Sequence, residues 1–160
     1  MFRIGQSSDI HQLAEGRRLI LGGVEIEHTK GLVGHSDADA LLHAIAEAVI
    51  GALGEGDLGK HFPDTDPQYK GISSLILLEH VTRLMEAKGF RIGNVDALIM
   101  IERPKMAPHI SAMRKNIAAA LRCGEDQVNV KATRGEKLGF VGREEGVLAQ
   151  AVVLLEKMEV

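Results

Sequence analysis

Apolar residues are spread along an opening segment, Phe2 to Leu13, that reads as a β-strand. From Ser36 the period changes. Ala38, Leu41, Leu42, Ile45, Val49 and Ala52 recur at i, i+3, i+4 and i+7, which predicts an amphipathic helix with Ser36 as N-cap. Asp39 stands three residues later, in the position of a capping box. Asp39, His43 and Glu47 form a second stripe beside the apolar one. Gly51 to Gly71 is a long polar loop with Gly54, Gly56, Gly59, Pro63 and Pro67. A second helix is predicted from Ser74 to Lys88 with stripe Leu75, Leu78, Val81, Leu84 and Met85, and Gly89 as its stop. Arg91 to Ile101 reads as a strand. A third helix starts near Pro108, buries Ile110, Met113, Ile117 and Leu121, and ends near Gly124. Val128 to Thr133 alternates, with Asn129, Lys131 and Thr133 on one face. Gly146 to Leu155 fits helix or strand by period. The run Val152-Val153-Leu154-Leu155, and the need of the sheet for a partner, favour strand. The expectation is one α+β domain over residues 1–160: a two-layer sandwich with a mixed sheet of about four strands and three helices on one face.

Composition narrows the function. A chain of 160 residues can bury one proper core, and 45% apolar with 26% charged residues is ordinary for a globular domain. A net charge of −3 supplies no global field for nucleic acid or membrane, so any anion site must be built locally. With 3% aromatics and no Trp, a base-stacking nucleic-acid surface is not expected. No apolar run approaches the ~20 residues of a membrane span. The N-terminus, Met1-Phe2-Arg3-Ile4-Gly5, has no signal-peptide pattern. The single Cys123 excludes an internal disulfide and a cysteine-built zinc site, and suits a cytoplasmic protein.

Against this plain background, Asp9-Ile10-His11 stands out. Residues i and i+2 of a strand share a face, so these two side chains converge. With His43 from the helix they offer one carboxylate and two imidazoles to a divalent cation, leaving a fourth position open as in catalytic zinc sites. Asp39 or Glu47 is spaced to hold the other ring nitrogen of His43. A hydrogen-bonded Asp–His pair with an unrelated helix histidine accounts for the same residues. A non-haem Fe(II) facial triad uses the same donor set.

Other segments offer phosphate and polyol chemistry. His35 and Ser36 stand at the expected helix N-terminus, where free N–H groups favour an anion, behind the flexible Gly31 to Gly34; the plain alternative is a capping serine and an exposed histidine. In the loop Asp57 to Pro67, Asp57 and Asp64 can accept from sugar hydroxyls, or serve only as turn residues. Pro104-Lys105-Met106-Ala107-Pro108 is stiff enough to present its backbone to a flat base, and Lys105 offers a charge; it also reads as a simple connector. Lys131 to Phe140 carries Thr133 and Arg134 for phosphate oxygens and Glu136 for Mg²⁺, or is a solvated turn.

Taken in order, these motifs resemble the 2-C-methyl-D-erythritol 2,4-cyclodiphosphate synthases of the non-mevalonate isoprenoid pathway. The motifs are Asp9-x-His11; Gly34-His35-Ser36-Asp37 then His43; Gly56-Asp57-Leu58-Gly59; Phe62-Pro63-Asp64-Thr65-Asp66; Pro104-Lys105-Met106; Asn129 to Thr133; and Glu136 to Phe140. The resemblance implies homotrimers with interfacial active sites. It implies Zn²⁺, or a similar divalent metal, on Asp9, His11 and His43, and Mg²⁺ or Mn²⁺ with the diphosphate at Glu136. It implies His35 and Ser36 on phosphate, with His35, Arg134 and Asp57 as the catalytic group. Asp57, Leu58, Gly59 and the loop Phe62, Pro63, Asp64, Thr65, Asp66 would hold the methylerythritol. Ile101, Pro104, Lys105, Met106, Ala107, Ala132, Thr133, Arg134 and Glu136 would form a neighbouring subunit's cytidine diphosphate pocket. Phe140 and Arg143 match positions near a central cavity linked to isoprenoid diphosphates. The chain departs from the family at Ser7-Ser8, where a Gly-aromatic pair is usual, and at Thr133-Arg134-Gly135-Glu136, where Thr-Thr-Thr-Glu is common. A non-catalytic nucleotide-binding regulatory trimer is the remaining alternative.

Overall fold

The computed structural model describes residues 1–159. In chain order it has β1 (Phe2–Glu15), β2 (Leu19–Leu21), β3 (Val24–Ile26), β4 (Lys30–Leu32), α1 (Ala40–Leu53), a one-turn α2 (Leu58–His61) and α3 (Ser74–Ala87). There follow β5 (Phe90–Met100), α4 (Ile110–Leu121), β6 (Val128–Thr133), a one-turn α5 (Gly139–Gly142) and β7 (Gly146–Lys157).

The sheet has five strands in the order β4-β1-β7-β5-β6, one more than expected. The central strand is β7, the segment whose period was ambiguous. It pairs antiparallel with β1 from Phe2↔Glu156 to Gln12↔Gly146, and antiparallel with β5 on its other side. β6 runs parallel to β5, which makes the sheet mixed. The extra strand, β4, covers the tail of β1 through Leu13↔Leu32 to Glu15↔Lys30. A separate hairpin joins β2 and β3 through Gly22-Gly23, both at positive φ, as a two-residue turn of this hand requires.

One face of the sheet packs on helices. Val147, Ala149, Ala151, Val153 and Leu155 of β7 are buried beneath them. α1 lies over β1 and β7 and under α3, so it is buried nearly all round. The opposite face is open, with Phe2, Ile4, Ile10 and Val152 exposed. Among the described residues no helix is long and apolar enough to cross a membrane.

α1 begins later than its sequence pattern implies. Asp39, not Ser36, is the N-cap, accepting from Leu42 N at 3.0 Å. Its carboxylate also takes the N–H groups of Gly22 (3.0 Å) and Gly23 (2.7 Å), tying the β2–β3 turn to the helix start. Three backbone donors make a better partner set for a fully buried carboxylate than the single amide a capping box offers. Burial still pushes the Asp39 carboxyl up, to about 6. His35 and Ser36 therefore lie in the loop before α1 rather than on its first turn.

Candidate metal and phosphate site

Along β1 the inward residues are Gly5, Ser7, Asp9, His11 and Leu13. Asp9 and His11 reach the end of this row opposite His43 on α1. Asp9 Oδ2 lies 2.8 Å from His11 Nε2 and 3.4 Å from His43 Nδ1, and the two ring nitrogens are 3.3 Å apart. His11 Nδ1 is 2.8 Å from the Val33 carbonyl, so it donates and leaves Nε2 to face the cluster. Asp9 Oδ2 is buried and accepts no well-directed hydrogen bond. An orphaned carboxylate oxygen against two imidazole nitrogens is a donor set that fits a divalent cation.

Burial pushes the Asp9 carboxyl up, but the neighbouring His11 and His43 outweigh it and hold the group at about 2. Burial pushes His11 down, and Asp9 overrides it, so the imidazolium persists above its ordinary pH range. A proton on His11 competes directly with a metal for Nε2. Zinc affinity is expected to be flat at high pH and to fall by about tenfold per pH unit below the raised His11 pKa. The loss should begin at higher pH than for an ordinary histidine of 6.5, and chelator competition across that range measures it. In the metal-free protein the signs are separate. The lowered Asp9 contributes stability above 3.8 that is lost toward about 2. The raised His11 contributes below 6.5 and loses it as pH rises through its folded pKa.

Neither Asp39 nor Glu47 holds the far nitrogen of His43. Asp39 is spent on capping, and Glu47 accepts from Ser7 Oγ (2.5 Å) and Leu58 N (3.2 Å). Two hydroxyls take that place, Ser74 Oγ at 2.8 Å and Ser36 Oγ at 3.1 Å from Nε2. Ser74 arrives from α3, and no local spacing could have pointed to it. The Ser7-Ser8 departure is accommodated: Ser7 is buried against Glu47, and Ser8 sits on the outer face beside Gln150.

The cluster opens into a cavity of about 490 Å³ lined by Asp9, His11, His43, His35, Ser36, Leu58, Gly59, Phe62, Pro63 and Asp64, with Tyr69 and Leu77. His35 Nε2 donates to the Asp66 carbonyl (2.9 Å), and Phe62 meets Tyr69 and His80 edge-on, fastening the loop to α3. Asp57 caps α2 through Lys60 N. Asp66 accepts from Gln68, and neither it nor Thr65 lines the cavity.

A second cavity, about 770 Å³, is lined by Ile101, Pro104, Lys105, Met106, Ala107, Ala132, Thr133 and Arg134. His28, Glu102, Arg103 and Ile110 join them; Glu102 and Arg103 fall within the Ile101 to Ala107 segment, Ile110 was expected only as a buried helix residue, and nothing in the sequence pattern pointed to His28. Glu102 accepts from the N–H groups of Gly135 (2.9 Å) and Lys137 (3.3 Å), clasping the loop that carries Arg134 and Glu136. Glu136 is exposed and not on the lining. Phe140 lines a third hollow with Ile10 and Lys30, where Arg143 pairs with Glu145. The first two cavities share no lining residue. A single chain thus keeps its metal-type donors apart from its Lys105–Arg134 pocket.

A sequence profile of the YgbB family matches residues 2–156. The chain is 66% identical over 153 residues to the 2-C-methyl-D-erythritol 2,4-cyclodiphosphate synthase of Pelobacter propionicus, covering 96% of this chain and 97% of that protein. Among solved structures it is similar to the IspF–CDP complex of Plasmodium falciparum, with TM-score 0.86 and 35% identity over 99% of this chain and 97% of that one. It is also similar to the bifunctional IspDF of Campylobacter jejuni, with TM-score 0.95 and 40% identity over 99% of this chain. There it spans 43% of the longer protein.

Proposed function

Since the chain belongs to the YgbB family, we infer that it is a cyclodiphosphate synthase, an enzyme of non-mevalonate isoprenoid biosynthesis. It converts 4-diphosphocytidyl-2-C-methyl-D-erythritol 2-phosphate to 2-C-methyl-D-erythritol 2,4-cyclodiphosphate and releases CMP. The observation that carries the reading at the level of residues is the convergence of Asp9, His11 and His43 on one point beside a cavity lined by His35 and Ser36.

An oxygen of the 2-phosphate attacks the β-phosphorus, the bond from that phosphorus to the CMP oxygen breaks, and the ring closes. Such a transfer depends on folding the substrate into line and on neutralising crowded charge. Ser36 donates to the phosphate nearest the cluster and His35 meets it, placed to stabilise the transition state. Asp57 and Asp64 accept from polyol hydroxyls. Lys105, Thr133 and Arg134 hold the diphosphate, and the backbone from Pro104 to Ala107 meets the cytosine. Zn²⁺ on Asp9, His11 and His43, and Mg²⁺ or Mn²⁺ at Glu136, would withdraw charge from the phosphoryl oxygens. Arg134 stands where a hydroxyl is common and offers a charged donor instead.

Two features support a homotrimer with shared sites. The two cavities are separate within one chain, and the open sheet face exposes Phe2, Ile4, Ile10 and Val152. A neighbour's Lys105–Arg134 pocket would then complete the cavity at His43. Phe140 and Arg143, beside that apolar face, are suited to an isoprenoid diphosphate in a central cavity. The lone cysteine suits a reducing cytoplasm.

Phosphorus NMR of the protein with substrate, Zn²⁺ and Mg²⁺ tests the reading. Coupled cyclic diphosphate resonances with free CMP are expected. Unchanged substrate over folded, zinc-loaded protein would favour a non-catalytic nucleotide-binding role.

A further inference from the structure

We propose that Asp37 and Ser74 are positioning residues that fix the tautomer of His43, so that its bare Nδ1 faces Asp9 and His11. The inference rests on the reading that these three residues hold a divalent cation. It follows from counting protons along a chain of contacts. Asp37 receives three donors: Ser74 Oγ at 2.5 Å and Asp39 N at 3.1 Å on Oδ1, and Ser74 N at 3.0 Å on Oδ2. A carboxylate so surrounded only accepts. The single hydroxyl proton of Ser74 is therefore committed to Asp37. Ser74 Oγ also lies 2.8 Å from His43 Nε2, and toward that nitrogen it can only accept. His43 must then carry its proton on Nε2. In the neutral ring the lone pair falls on Nδ1, which is the atom 3.4 Å from Asp9 Oδ2.

The chain is held rigidly. Ser74 is 1% exposed, at the first turn of α3. The Asp37 backbone N–H donates to Ile72 O at 3.1 Å. The ring is thus oriented by two elements, the loop before α1 and the start of α3, neither of which supplies a ligand. Ser36 Oγ, also near Nε2, accepts from Ala38 N at 3.1 Å. Its own proton is left for an anion in the cavity. This arrangement gives the cation a ligand that sheds no proton on binding, and ligand orientation of this kind commonly governs metal affinity by about 10- to 100-fold.

Two measurements test it. The first uses the wild-type, metal-free protein at mildly alkaline pH: long-range ¹⁵N–¹H correlation of the imidazoles should show His43 protonated on Nε2. A proton on Nδ1 overturns the proposal whatever the variants do. The second compares Ser74→Ala with wild type by chelator competition for Zn²⁺ and by the visible spectrum of the Co²⁺ form. A 10- to 100-fold weaker zinc affinity and an altered Co²⁺ spectrum are expected, with activity recovered in excess zinc. A variant that melts lower without metal, yet binds zinc as wild type does, would make Ser74 merely structural and sink the idea. Failure of the wild-type protein to bind zinc would instead remove the cation reading, and the tautomer measurement would stand apart from it.

Discussion

Replacing His43 with alanine is expected to lower turnover by about three orders of magnitude or more while the protein stays folded. The expectation combines two features of the site. The His43 side chain is 12% exposed, lines the cavity and makes its polar contacts to Ser36, Ser74, Asp9 and His11, so its removal enlarges that cavity. Its backbone remains in α1 between the buried Leu42 and Ala44. The donor set, however, drops from three to two. A cation that polarises a phosphoryl oxygen lowers the barrier by several kcal/mol, and about 4 kcal/mol corresponds to roughly a thousandfold in rate. Zinc stoichiometry, single-turnover rate and a thermal melt on one preparation decide the matter. Zinc retained at one equivalent together with wild-type activity would remove His43 from the ligand set.

Why some of this was legible in the sequence and some not is a matter of range. Asp9 and His11 share a face because strand geometry demands it, and His43 lies on a helix whose stripe is readable over four turns. β7 was ambiguous by period, and its place between β1 and β5 settles it. β4 has three residues and exists because the tail of β1 lacks a partner, which no local pattern records. The β2–β3 hairpin did leave a signal, Gly22-Gly23 between the apolar triplet Leu19-Ile20-Leu21 and the alternating Val24-Glu25-Ile26. Ser36 and Asp39 are both good N-caps. The choice between them is made by Gly22 and Gly23, which bring two further amides to Asp39. The support of His43 is longer in range still, since Ser74 is 31 residues away. That the Lys105–Arg134 pocket and the histidine cluster stay apart within one chain is recorded by no local pattern, and only the resemblance carried by the motif order, with its interfacial sites, implies it.

Substituting Gly5 with alanine is expected to cost about 4 kcal/mol of stability, and to weaken zinc binding in whatever fraction still folds. A Cβ built on Gly5 would stand 1.8 Å from the Ala48 carbonyl oxygen and 2.8 Å from Ala52 N. Both are backbone atoms of α1, so no side chain can swing aside and the helix itself must move. The residues next along the inner face of β1 explain why that movement reaches the site. Ser7 has room for a small side chain that bonds Glu47, and Asp9 and His11 have room for full ligands opposite His43. Side-chain size rises along this row, as it must where a helix touches a strand at one end and splays from it toward the other. Gly5 is the point of contact, and His43 lies one helical turn and a residue before Ala48. Lifting α1 at Gly5 therefore changes the spacing between His43 and the Asp9–His11 pair, in a cluster whose atoms sit within 4.8 Å of one another. Urea unfolding of the metal-free protein and zinc competition measure the two effects separately. A variant within about 1 kcal/mol of wild type, with unchanged zinc affinity, would mean that the helix can slide over the strand and that its contact at Gly5 does not set the ligand spacing.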